Sequence, residues 1–169
     1  MNKQPQAAES VWDYPRPPRL EPTPRRIRIL GAGHTIADTT SALRILETSH
    51  PPVYYIPPAQ VNMHLFYRSL SQPSYCEFKG NASYWTLAFC LLDRAVTIPD
   101  VAWSYEKPSP PYAALAGHMA FYASRLAEQG MECWVDDEQI VPQPGDFYGG
   151  WITSDLRGPF KGAPGTRHW

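Results

Sequence analysis

Nineteen prolines in 169 residues constrain this chain more than any other feature. Average usage is about 5%, or roughly eight in a chain of this length. Each proline fixes φ and removes a backbone donor, which breaks helix interiors and excludes central strand positions. A chain punctuated in this way has to build its regular structure from short strands with turns between them. That pattern reads as a sandwich or barrel-like β fold with short helices.

The length fits one domain, since compact domains most often hold roughly 100–150 residues. Lys plus Arg number 15 and Asp plus Glu 16, for a formal charge of −1. Net charge therefore gives no pull toward nucleic acid or anionic lipid. Apolar residues are scattered between prolines, and no run of about 18 could span a bilayer. Met1 to Ser10 is polar and lacks the basic-then-apolar pattern of a secretory signal, so the expected address is cytoplasmic. Cys76, Cys90 and Cys133 form neither a CxxC pair nor an even set, which argues against a disulfide framework and a structural zinc site. The sequon Asn81-Ala82-Ser83 then reads as chance.

Three segments are expected. Residues 1–25 form an amino-terminal arm, in which VWDYPRPPRLEPTPR (11–25) carries five prolines and the packing aromatics Trp12 and Tyr14. Residues 26–141 form the core. Arg26–Leu30 and Thr35–Asp38 alternate around Gly31-Ala32-Gly33-His34 and predict a hairpin. Thr39, Thr40 or Ser41 can cap a short helix through Glu47, stopped by Pro51-Pro52. Val53–Ile56, bounded by prolines, predicts a short or edge strand. Further strands are expected at 61–66, 75–78, 83–90, 96–98, 101–105, 118–122, 131–135 and 139–141, with helical turns at 113–117 and 124–129. Residues 142–169 form a second arm whose six glycines, four prolines and interspersed aromatics suit a segment that wraps a core.

The strings SVWDYPRPPRLEP (10–22), ETSHPPVYYIPP (47–58), CEFKGNASYW (76–85), AWSY (102–105), GHMAFY (117–122) and PQPGDFYGGWITSDLRGPFKGAPGT (142–166) together resemble the family known as domain of unknown function 427. That family also carries a nucleotidyltransferase-like name. The resemblance implies a β-tent fold, two antiparallel sheets leaning together, similar to the thalidomide-binding domain of cereblon and to methionine sulfoxide reductase B. Such relatives often hold zinc with two CxxC knuckles. Here the matching place reads Cys76-Glu77-Phe78-Lys79-Gly80, with a lysine where a second thiolate is needed, so neither zinc nor another cofactor is expected. The chain departs from the family's pattern at Cys90–Arg94, at Asp136-Asp137 and over Ser124–Glu132, all read as loops.

Nucleotide chemistry finds little support in the residues. Gly31-Ala32-Gly33 lacks the third glycine of a dinucleotide fingerprint and opens no helix. There is no P-loop and no carboxylate pair of the kind that holds magnesium in nucleotidyltransferases. Asp136-Asp137 sits in an expected turn, where acids are ordinarily solvated.

Cys76, Lys79 and His118 are the catalytic candidates. A neighbouring ammonium favours a thiolate at Cys76, although free cysteine is most often inert core. His118 alternates with Ala120 and Tyr122 on a strand, where a lone histidine usually satisfies a backbone group. Val101, Trp103 and Tyr105 are expected on one strand face, and Tyr84 and Trp85 on opposite faces. Tyr54, Tyr55, Tyr84, Trp103 and Tyr105, with Lys79 and Arg44 as cationic donors, make up the candidate ligand site, against the plainer alternative of aromatic packing. The leading expectation is a metal-free domain that binds a small anionic or carbonyl-bearing molecule. An enzyme acting on a small or nucleotide-like substrate is the alternative, and an interaction module pairing two copies through its aromatic arms is a third.

Overall fold

The computed structural model describes residues 7–91 and 93–169. The first six residues of the expected amino-terminal arm, and Leu92 within the Cys90–Arg94 turn, lie outside it. The fold is mainly β, with one six-residue α-helix and short 3-10 turns among the described residues.

Short strands β1 (Glu9–Ser10) and β2 (Arg19–Pro22) run through the amino-terminal arm and precede the hairpin of β3 (Ile27–Gly31) and β4 (His34–Thr39). Ile27, Ile29 and Ile36 are buried. Gly31 pairs with His34 across Ala32 and Gly33, at φ of 53° and 75°, the two-residue turn that a right-twisted hairpin favours.

The expected helix ending at Glu47 is replaced by a strand, β5 (Leu43–Leu46). It lies between β2 and β6 (Val53–Tyr55) in a three-stranded antiparallel sheet. The capping residues offer one helix end, but the arm on one side and the proline-bounded strand on the other satisfy its backbone from both flanks, and this pairing wins. Beyond β6, Ile56 exchanges two backbone hydrogen bonds with Met119, at 2.8 and 2.9 Å.

The stretch expected as a strand over 61–66 opens with a 3-10 turn, Met63–Leu65, and only then enters β7 (Phe66–Arg68). Asn62 closes that turn, donating to Ile36 O and accepting from Leu65 N. The short strand β8 (Ser74–Cys76) leads into the long pair β9 (Gly80–Leu91) and β10 (Arg94–Ser104). Two expected strands merge in β10, joined by a bulge between Ile98 and Ala102 at which Asp100 takes φ of 50°. Strand β11 (Met119–Phe121) completes a five-stranded sheet ordered β11-β10-β9-β7, with β8 paired to β9.

After α1 (Ala123–Glu128), β12 (Glu132–Val135) and β13 (Glu138–Gln139) join β3 and β4 in a four-stranded antiparallel sheet. The carboxy-terminal arm forms β14 (Val141–Pro142) with β15 (Trp151–Ile152), and then β16 (Leu156–Arg157), which pairs in parallel with β1.

Opposite faces of β9 and β10 feed different cores. Leu87, Phe89, Val96 and Ile98 pack with Ile27, Ile29, Val135 and Trp151 in the larger one. Trp103, Tyr105 and Ala82 face Ile45, Tyr55 and Leu115 in the smaller one. Val101 belongs to the larger core, so the expected shared face of Val101, Trp103 and Tyr105 is split by the bulge. Tyr84 and Trp85 do diverge, one to each core. Among the described residues, no helix is long and apolar enough to cross a membrane.

Candidate functional site

The smaller core does not close. Beside it lies a cavity of about 370 Å³, within the range of small-molecule sites. Its aromatic walls come from β6, β9, β10 and the end of β11: Tyr55, Tyr84, Trp103, Tyr105 and Tyr122. These rings interlock at angles. Trp103 meets Tyr122 at 4.5 Å between centroids and Tyr55 edge-on at 6.3 Å, and Tyr55 meets Tyr105 at 6.3 Å. Burial raises the phenol pKa of Tyr55 and Tyr105, and pushes that of Tyr122 up to about 12. All three are therefore neutral near pH 7 and can donate hydrogen bonds.

Lys79 enters from the tight hairpin between β8 and β9. Cys76 pairs with Gly80 across that turn, and Ser109 N donates to Lys79 O at 3.0 Å. The residue is only 8% exposed. Its ammonium donates to Cys76 Sγ at 3.2 Å and sits 5.7 Å from the Tyr105 ring centroid. Lys79 has no carboxylate partner among the described residues. An ammonium carries three donors, and Cys76 Sγ accepts from one of them.

A polar cluster forms another part of the lining. The turn after β5 brings His50 Nε2 to 3.5 Å from Glu47 Oε2. Gln143 Nε2 lies 3.0 Å from His50 Nδ1 and donates to Lys161 O at 2.8 Å, while its Oε1 accepts from Gly150 N at 3.0 Å. With the amide oriented by Gly150 and Lys161, His50 Nδ1 is the acceptor, and the ring proton rests on Nε2 toward Glu47. Burial, aided by Lys161, Arg16 and Lys79, pulls the His50 pKa down to about 4. Lys161 also lines the cavity, with its ammonium 5.6 Å from the Tyr148 ring centroid.

The arm forms the remaining wall. Gly149 presses on Trp103 so closely that a Cβ there would stand 2.1 Å from a ring carbon. Tyr148 meets His50 edge-on at 4.9 Å.

Of the residues singled out from the sequence, Tyr55, Cys76, Lys79, Tyr84, Trp103 and Tyr105 converge on this cavity. The other three lie elsewhere. Arg44 is not a cavity donor, because its guanidinium holds Glu9 at 3.1 Å and Glu21 at 2.6 Å on the opposite face of β5 from Ile45. Tyr54 alternates away from Tyr55 into the larger core beside Trp151, at 5.7 Å between centroids. His118 precedes β11, with Nδ1 3.3 Å from Ala116 O, away from the cavity. Sequence reasoning passed over Glu47, Tyr122, Gln143 and Lys161. The glycine pair Gly149-Gly150 was the available signal for the last two, since it marks where the arm closes on the body. Asp136 also differs from a solvated turn acid, accepting from Arg25 Nε and Arg26 N at 3.0 Å each. No group of three or more His, Cys, Asp or Glu side chains is placed to hold a metal among the described residues.

The match to known families covers residues 19–136, to the family described as Domain of unknown function (DUF427). The chain belongs to this family. No curated protein matches it. The DUF427 match contains the aromatic walls and the Cys76–Lys79 turn, whereas Gln143, Tyr148, Gly149 and Lys161 lie beyond it, in the arm.

Proposed function

We propose that this DUF427 protein binds a small ring-bearing molecule with a carboxylate or carbonyl end, its ring among Trp103, Tyr105 and Tyr55 and its oxygen at Lys79. The observation that carries this reading is Lys79, a residue 8% exposed on the lining of an aromatic-walled cavity, whose ammonium has no carboxylate within salt-bridge distance among the described residues. Burial of a cation is costly unless a counter-charge or strong acceptor compensates, and an incoming oxygen anion or carbonyl does so. Lys161, whose ammonium also donates to Trp169 O at 2.9 Å, adds a second positive charge to the lining against the single carboxylate of Glu47, while His50 stays neutral, so an anionic guest meets a net positive lining. The angled rings offer faces and edges to a planar body, and a neutral Tyr122 phenol is a further donor.

Titration calorimetry with phenylpropionate and with benzylacetone tests the reading. One molecule of at least one probe is expected to bind per chain. Lys79→Met should weaken that binding by about tenfold or more, since a charge-assisted hydrogen bond contributes roughly 1.5–3 kcal/mol. No binding of either probe, or binding indifferent to Lys79→Met, would contradict it.

A further inference from the structure

The pair Cys76–Lys79 does more than the binding reading requires. A lysine that served only as an anion receptor would need no thiol within hydrogen-bonding distance, yet Cys76 Sγ stands 3.2 Å from Lys79 Nζ. Both side chains line the same cavity. The turn that joins them is held at both ends, by the Cys76–Gly80 pairing and by the Ser109 hydrogen bond to Lys79 O. The backbone therefore holds the two residues side by side, and the Lys79 side chain completes the approach. The ammonium thus donates to the one sulfur that faces a guest in the cavity. The other two cysteines lack this setting: Cys90 is exposed, and Cys133 is buried in the larger core.

We infer that Cys76 is a covalent capture site for an electrophilic guest, specifically an aryl α,β-unsaturated ketone or aldehyde, with Lys79 as the group that activates its carbonyl. This rests on the binding reading above, because the ring and carbonyl occupy the places assigned there. In the step, Cys76 Sγ bonds to the β-carbon. The alkene π pair moves toward the carbonyl oxygen as an enolate, which the Lys79 ammonium stabilises by a charge-assisted hydrogen bond. The thiol gives its proton to water as sulfur adds, and the α-carbon takes one proton from water in its place. Sulfur and hydrogen have then added across the double bond; nothing is oxidised or reduced and no group leaves. One ammonium serves twice, donating to Sγ before attack and to the enolate oxygen after it. The aromatic walls strengthen both interactions by keeping water back.

The three cysteines permit a contest within one molecule. Wild-type protein is incubated with benzylideneacetone, and adducts at Cys76, Cys90 and Cys133 are followed by peptide mass spectrometry. Cys76 is expected to react roughly tenfold faster than the exposed Cys90, with a rate that saturates as the probe is raised. Benzylacetone, the saturated analogue, should slow Cys76 by competition and leave Cys90 unaffected. Lys79→Met should slow Cys76 by about tenfold or more, with Cys90 unchanged and Cys133 still unlabelled as a check on the fold. Reaction at Cys76 no faster than at Cys90 would overturn the inference, and that comparison needs no variant. If benzylacetone binds by calorimetry while Cys76 stays unlabelled, covalent capture fails and the binding reading stands. If neither compound binds or reacts, both fail.

Discussion

His50 shows what one buried side chain does to the whole molecule's pH response. Its folded pKa of about 4 lies below the ordinary 6.5, so between these values the unfolded chain binds a proton that the folded chain refuses. Stability associated with neutral His50 is therefore complete above pH 6.5 and is lost as pH falls toward 4, up to about 3 kcal/mol by linkage. Urea unfolding from pH 7 to pH 4 is expected to show that loss. His50→Asn, whose carbonyl can still accept from Gln143, should flatten the curve within the same window. Because the missing Cβ of Gly149 would stand 2.1 Å from the Trp103 ring, Gly149→Ala should displace the arm. The expected cost is about 1–3 kcal/mol in denaturant unfolding, with loss of probe binding. Residue chemistry in the site was only partly legible. The Cys76–Lys79 spacing could be read from sequence because a tight turn brings both side chains together. His50 and Gln143 could not be joined, since 93 residues separate them and only the folded arm brings them to 3.0 Å.

At the scale of elements, local signals were sound where a segment's partners were adjacent in sequence. The β3–β4 hairpin follows from alternation and a two-residue turn. β5 shows the opposite case. Its capping residues suit a helix, but β2 and β6 flank it and fix a two-residue period, sending Ile45 to the smaller core and Arg44 to the acids of the arm. Arg44 was expected at the ligand site because its register was unknown. Its ion pairs with Glu9 and Glu21 place it instead as the fastening of the amino-terminal arm. Arg44→Met should destabilise the fold by about 1–3 kcal/mol, the partial exposure of both carboxylates limiting the effect. Limited proteolysis should show faster cleavage between Glu9 and Pro22 in the variant than in the wild type. The bulge at Asp100 had a similar consequence, since it separates Val101 from the face that Trp103 and Tyr105 share.

For the whole molecule, proline density set the outline. It excluded long helices and left a set of short antiparallel strands, and the resemblance carried in scattered aromatic and glycine strings agrees with membership in DUF427. The role of the arms was less legible. Val11 and Tyr14 pack with Leu46, Leu156 and Phe160, so both arms meet on the body, and the second also lines the cavity. That closure is tertiary and leaves little mark on local sequence beyond Gly149-Gly150. In the proposed complex a ring-bearing guest lies among Trp103, Tyr105 and Tyr55, beside Ala82, with its oxygen at Lys79. Intermolecular nuclear Overhauser effects from bound phenylpropionate or benzylacetone locate the guest most directly. Contacts are expected from the ligand ring to the Trp103 and Tyr105 ring protons and to the Ala82 methyl. Contacts confined to other side chains, with these three silent while the ligand is bound, would contradict that placement.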